Sequence, residues 1–209
     1  MNLPPLPSVP PALAGRQTLA IRFAWTGRPK EGSRWLADVR RSATPLVDGI
    51  GPMRYSQVAR IHADPVDPMP VRTGSALLRD LPERGIEAFL AAVGERGPHT
   101  IVELRALGGA IARAPRRPSA VCHRDAAYSL FMSGVPRPDG SALSVHAESV
   151  LTALAPWTMP GLLPNFAASD DAATIARCYD SAAARRLRRL ADQYDPDHVL
   201  DVGQVARTA

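Results

Sequence analysis

Lysine is almost missing from this chain: Lys30 is the only one among 25 basic residues, which stand against 20 acidic ones. The net charge of +5 is therefore an arginine excess, and beside abundant alanine it reads as the habit of GC-rich coding rather than as a phosphate-binding surface. A nucleic-acid reader would add a groove-reading motif or aromatics interleaved with the basic residues. Neither occurs, so nucleic acid is not an expected partner. Cysteine is scarce too. Cys122 and Cys178 lie far apart with no CxxC or Cys/His cluster, which excludes a zinc site and a vicinal redox pair. No apolar run reaches the ~20 residues of a membrane span. The start, Met1-Asn2-Leu3-Pro4-Pro5-Leu6-Pro7, lacks the basic and apolar regions of a signal peptide. The expected location is cytoplasmic, with no membrane partner. Gly-x-Ser-x-Gly elbows and glycine-rich nucleotide loops are also lacking.

What remains is a chain of 209 residues, 45% of them hydrophobic, long enough for one sizeable core and short for two ordinary domains. Five prolines within residues 1–16 favour extended, polyproline-like backbone and mark a connector. Thr18 to Thr26 alternates, with Leu19, Ile21, Phe23 and Trp25 on one side, which predicts a strand with one buried face. Pro29 and Glu31 open a helix presenting Trp35, Leu36 and Val39. A second helix is expected from Pro82 to Val93, striped by Ile86, Phe89, Leu90 and Val93 and ended by Gly94 and Gly97. Thr100 to Leu107 reads as a strand whose Glu103 and Arg105 share one face while Val102 and Leu104 share the other. Short strands are expected at Ala120–Arg124 and Tyr128–Met132. A third helix, with Leu143, Ala147, Val150, Leu151 and Leu154 on one stripe, stops at Pro156. A final helix is expected from Asp170 to Gln193, burying Leu187, Leu190, Ala191 and Tyr194. Strands with one polar face between helices with one apolar stripe give an α+β fold, a largely antiparallel sheet with helices packed on one face. The other sheet face is left for a partner or ligand.

Chemistry-bearing motifs are few. His62, Asp64 and Asp67 cluster, but two Asp-Pro pairs there start turns and no second ligand cluster exists, so no metal is expected. His123-Arg124-Asp125 matches a kinase catalytic loop only in three letters. Glu103 and Arg105 read either as a solvated surface pair or as the edge of a ligand-facing surface closed by Gly108-Gly109.

Four segments carry a resemblance. Pro4-Pro5-Leu6-Pro7 through Ala14-Gly15-Arg16 comes first. Glu103-Leu104-Arg105-Ala106-Leu107-Gly108-Gly109-Ala110 is followed by His123-Arg124-Asp125-Ala126. Pro164-Asn165-Phe166 and Tyr194-Asp195-Pro196-Asp197-His198 complete the series. In this order they resemble the C-terminal half of berberine-bridge-type FAD-linked oxidases. The resemblance implies a proline-rich connector (1–16), a substrate-side α+β domain (17–192) and a C-terminal segment (193–209). It implies Glu103 and Arg105 as catalytic residues towards a small-molecule substrate, and Asn165, Phe166 and Gln204 beside the cofactor FAD. The expected reaction is oxidation of an alcohol or activated C–H, with hydride passing to FAD and electrons to oxygen. The flavin-binding half is not in the sequence, so activity is expected to need a separately encoded FAD-binding domain. The alternative is a non-catalytic binding module descended from such an oxidase. Two departures favour it: the family's Tyr-x-Asn-Tyr is Leu163-Pro164-Asn165-Phe166, and its terminal Asn-Gln-Asn is Gly203-Gln204-Val205.

Overall fold

The computed structural model describes residues 1–5, 9–62, 67–95, 97–136, 141–169 and 171–200. The backbone divides into two units, one of Met1 and Leu3–Met69, the other of Asn2 and the chain from Pro70 onward.

The first unit holds helix α1 (Pro29–Ser42), started by proline at its N-terminus and carrying Glu31 in its first turn, as the sequence predicts. Its burial is narrower than the predicted stripe: Leu36 is buried, whereas Trp35 is 69% exposed. Gly32 is buried instead because Trp25 lies over it, so closely that a Cβ there would stand 3.0 Å from the indole. The expected strand over Thr18–Thr26 is not formed. Met1 and Thr18 exchange backbone bonds at 2.7 and 2.9 Å, but residues 19–26 have no ladder partner, and Leu19 is 90% exposed. Alternation supplies a face to bury; only a neighbouring strand makes it a sheet. A 3-10 helix spans Tyr55–Ile61. Of the His62, Asp64 and Asp67 cluster, Asp64 lies outside the described residues. Among the described residues no group of three His, Cys, Asp or Glu is placed to hold a metal.

The second unit is a four-stranded antiparallel sheet in the order β2-β3-β1-β4, built from β1 (Arg72–Leu78), β2 (Ile101–Ala106), β3 (Tyr128–Gly134) and β4 (Thr158–Met159). Helices α2 (Glu83–Val93) and α3 (Ser141–Leu154) cover one face. The register sets Ala76 beside Leu130 and Leu130 beside Leu104, and likewise Gly74, Met132 and Val102. These rows meet the helices, and with Leu78, Val150, Leu154 and Trp157 they make the core. Leu78, Leu130, Met132, Val150 and Leu154 are wholly enclosed, each contributing about 1.5–3 kcal/mol of burial. The α+β, antiparallel, one-faced reading is what the chain adopts.

Three elements depart from the sequence reading. Helix α2 turns inward on Gly85, Phe89 and Val93, leaving Ile86 and Leu90 outside. The small residues Ala88 and Ala92 face the core with Phe89 and Val93, so the buried stripe includes alanines that a count of large apolar side chains skips. Residues 120–124 form no strand; His123 takes φ 56°, which breaks extended backbone. The single final helix is two: α4 (Ala172–Cys178) and α5 (Ser181–Tyr194). Asp180 interrupts them by capping α5, its carboxylate accepting from the Ala183 N–H at 2.7 Å. No residue of α5 is buried, and Tyr194 is 78% exposed. The expected helix start, Asp170, lies outside the described residues; Asp171 caps α4 by accepting from Thr174. No helix among the described residues is long and apolar enough to cross a membrane.

Candidate functional site on the open sheet face

With one face against the helices, alternation sends Ile101, Glu103 and Arg105 of β2, Ser129, Phe131 and Ser133 of β3, and Thr73, Ser75 and Leu77 of β1 to the other. Glu103 therefore stands in a cross-strand row with Phe131 and Ser75, and Arg105 in the next row with Ser129 and Leu77. The Glu103 and Arg105 side chains sit two residues apart on one strand and pair: Arg105 Nε and Nη2 both donate to Glu103 Oε1, at 2.9 and 2.8 Å. Glu103 Oε2 and Arg105 Nη1 make no hydrogen bond among the described residues. Both side chains keep partial exposure, 20% for Glu103 and 38% for Arg105. Solvent-screened pairs of this kind contribute at most about 1 kcal/mol, so folding does not depend on this one.

A 3-10 turn over Pro164–Phe166 closes the patch. Ser75 Oγ donates to the Phe166 carbonyl at 2.6 Å, which docks the turn on the central strand. The Phe166 ring then lies 5.1 Å from Phe131, tilted by 54°, and the Arg105 guanidinium sits 5.1 Å from the Phe166 ring centre, a cation–π distance. Glu103 and Arg105, read as a pair on one strand, and Phe166, read from a distant segment, are thus brought together. Asn165 is exposed on the same turn. Gln204 lies outside the described residues. Leu163 does not join the polar patch; it packs with Leu77, Leu107, Ala126 and Met159 in a small second cluster. Sequence reasoning named neither Ser75 nor Phe131: Phe131 lies in a strand that was expected, Tyr128–Met132, but the strand carrying Ser75 contains Gly74, Ser75 and Ala76, all poor strand formers. The signal that could have found Ser75 is its even spacing from Thr73 and Leu77.

The flanking motifs are structural. Gly109 takes φ 59°, and Ile111 N–H returns to the Gly108 carbonyl at 3.2 Å, the tight turn expected after β2. His123 Nε2 donates to the Arg177 carbonyl at 2.9 Å, and Arg124 donates to the Ile111 carbonyl at 2.6 Å, so the His-Arg pair pins loops. Asp195 accepts from the N–H groups of Val199 and Leu200 at 2.8 and 3.1 Å, which makes the Tyr-Asp-Pro-Asp segment a capped turn.

The patch has the makings of one wall for a planar, polar-edged molecule: two aromatic rings, a carboxylate oxygen and a guanidinium edge. A whole flavin dinucleotide also needs a diphosphate cradle of backbone N–H groups at a helix start. The starts of α2, α4 and α5 do not offer one. Helices α4 and α5 begin on the carboxylates Asp171 and Asp180, and α2 begins on Pro82 and Glu83. Gly94, with φ 62°, ends α2 rather than opening a helix. No diphosphate cradle is therefore formed at these three helix starts.

No protein-family model matches the sequence, and no curated protein does. Solved structures do match the fold. BBE-like 1 of Physcomitrella patens gives a TM-score of 0.55 at 15% identity, covering 72% of this chain and 33% of that one. A variant of the same protein gives 0.56 with the same identity and coverage. The 6-hydroxy-D-nicotine oxidase of Arthrobacter nicotinovorans gives 0.57 at 19% identity, covering 82% of this chain and 40% of that one. This chain spans about a third to two fifths of the length of these structures, and its fold is similar to that part of them.

Proposed function

We propose that the chain is the substrate-side part of an FAD-linked oxidoreductase whose flavin is held by a separately encoded glycine-rich domain. The observation that carries this reading is the convergence of Glu103, Arg105 and Phe166 on the sheet face turned away from α2 and α3, in a fold similar to part of a known oxidase. A bound flavin would accept a hydride from an alcohol or activated C–H and pass electrons to oxygen. This chain's share is orientation. Glu103 Oε2 accepts a hydrogen bond from a substrate hydroxyl or amine, and Arg105 Nη1 donates to a polar or anionic group. The two aromatic rings exclude water from the wall.

A second reading, a non-catalytic binding module, is favoured by Leu163. Its side chain belongs to apolar packing, and with Phe166 beside it the segment offers no phenol to a reacting centre.

The experiment purifies the chain, incubates it with FAD and records the visible flavin absorbance of the protein fraction after gel filtration. It is then repeated on the chain co-expressed with a glycine-rich flavin domain encoded beside its gene. A colourless chain alone and a yellow, co-migrating complex are expected. Stoichiometric yellow protein from this chain alone overturns the split-enzyme reading. A neighbourhood with no flavin domain, or one that does not bind, overturns it in favour of the binding module.

A further inference from the structure

Behind the sheet, on the face opposite the polar patch, His99 and His146 meet with Nδ1 to Nδ1 at 2.7 Å, their rings 4.9 Å apart. The protons on this pair follow from one fixed acceptor. His146 Nε2 lies 3.1 Å from the Val93 carbonyl, which can only accept, so His146 Nε2 carries a hydrogen. In neutral His146 the Nδ1 is then a lone pair, and it must receive a hydrogen from His99 Nδ1. His99 Nε2 is left with a lone pair and no hydrogen-bond partner among the described residues. His99 is only 3% exposed, yet no fully buried side-chain nitrogen or oxygen among the described residues lacks a partner. Nε2 therefore keeps some accessible surface, and His99 lines an open pocket of about 510 Å³.

The rest of the lining defines what would fill it. Arg72 and Thr73 come from the start of β1, and Leu143, Ser144 and Ala147 from α3. Arg72 takes part in no ion pair among the described residues. The position is built closely: a Cβ on Gly134, opposite Arg72 in the register, would stand 2.5 Å from Leu143 and 3.3 Å from the His99 Cα. An acceptor that keeps some accessible surface, an exposed cation with no ion pair among the described residues, a hydroxyl on each side and an apolar wall suit a ligand with a donor, a negative charge and a carbon body. A simple carboxylate satisfies Arg72 but sets its own lone pairs against that of His99.

We propose that this pocket is a second binding site, separate from the Glu103, Arg105 and Phe166 patch, for a small organic acid bearing a hydroxyl group. The hydroxyl donates to His99 Nε2, the carboxylate pairs with Arg72, and the carbon skeleton lies against Leu143 and Ala147. The site stands independently of the oxidase reading, since none of its residues belongs to the polar patch around Glu103.

Three probes of one size separate the contacts: mandelate has both groups, phenylacetate lacks the hydroxyl and mandelamide lacks the charge. Calorimetric titration is expected to show mandelate binding about tenfold more tightly than either, one hydrogen bond or one charge contact being lost in each case. In His99→Phe the advantage of mandelate over phenylacetate disappears while the advantage over mandelamide stays. Long-range proton–nitrogen NMR of the wild-type protein reads the same contact without a variant. His99 Nε2 should resonate as an unprotonated nitrogen and shift with mandelate but not with phenylacetate. Equal affinities for mandelate and phenylacetate, no binding of mandelate, or a protonated His99 Nε2 in the free protein would each overturn the proposal.

Discussion

Acidification should loosen the second unit well before its carboxylates are neutralised, and the group responsible is His99. Burial, reinforced by the neighbouring His146, holds the His99 imidazole down at about 4 against an ordinary 6.5. The unfolded chain therefore takes up this proton near pH 6.5, whereas the folded one resists until about 4. Between those values the unfolded state binds more protons, so stability falls as pH falls through the window and levels off below it. At roughly 1.4 kcal/mol for each pH unit of that gap, the ceiling on the loss is about 3 kcal/mol, a large share of an ordinary domain's stability. The acid side chains act lower. Hydrogen bonds from Ser169 and Thr174 hold Asp171 at about 2. The Ala183 N–H and Arg40 hold Asp180 and Asp48 respectively below their usual 3.8. Their stabilisation is complete above 3.8 and is lost only beneath it, so the two windows do not overlap. Urea denaturation at stepped pH, from neutral to about 4, measures the loss. His99→Asn keeps a donor towards His146 without titrating and should flatten the curve. Equal losses in wild type and variant would refute the reasoning.

The remaining predictions are shorter. Gly134→Ala forces a Cβ onto Leu143 and the His99 backbone, and should cost about 1–3 kcal/mol by overpacking, read from the urea midpoint. Leu154→Ala empties a wholly enclosed site between α3 and the sheet, with an expected loss of about 2–5 kcal/mol by the same measurement. Asp180→Ala removes the cap that starts α5 and should lower the melting temperature by a few degrees and reduce helical circular dichroism, while leaving the sheet intact. Glu103→Gln should change stability by less than about 1 kcal/mol, yet abolish substrate turnover in a reconstituted flavin complex if the open face is the substrate wall.

Legibility in the sequence followed the physics of each element. Strand β2 was readable because Val102 and Leu104 alternate with Glu103 and Arg105 over enough residues to fix both faces, and the one-faced sheet followed. Strand β1, central in the sheet, was not readable: Gly74, Ser75 and Ala76 have little strand preference, and their conformation comes from pairing with β3 along its whole length and with β4 at one end. Thr18–Thr26 failed in the opposite sense, having the pattern and no partner. Residue types at Glu103, Arg105 and Phe166 named the members of the patch, but its assembly depends on Ser75 Oγ reaching the Phe166 carbonyl, a contact between residues far apart in the chain. The histidine pair had no sequence signature, since His99 and His146 gain their relation only when α3 is laid against the sheet.

Strand β2 lies at the end of the order β2-β3-β1-β4, with one row of backbone N–H and C=O groups unclaimed by any described strand. Such an edge invites a copy of itself to dock and propagate. Two side chains of opposite charge project from this short strand, bonded to each other. A second β2 laid alongside would have to accommodate that paired charge and its hydration shell at the seam. The paired charge thus stands as a guard against self-association, and replacing both residues with apolar ones is expected to make the strand a seed for fibrous assembly.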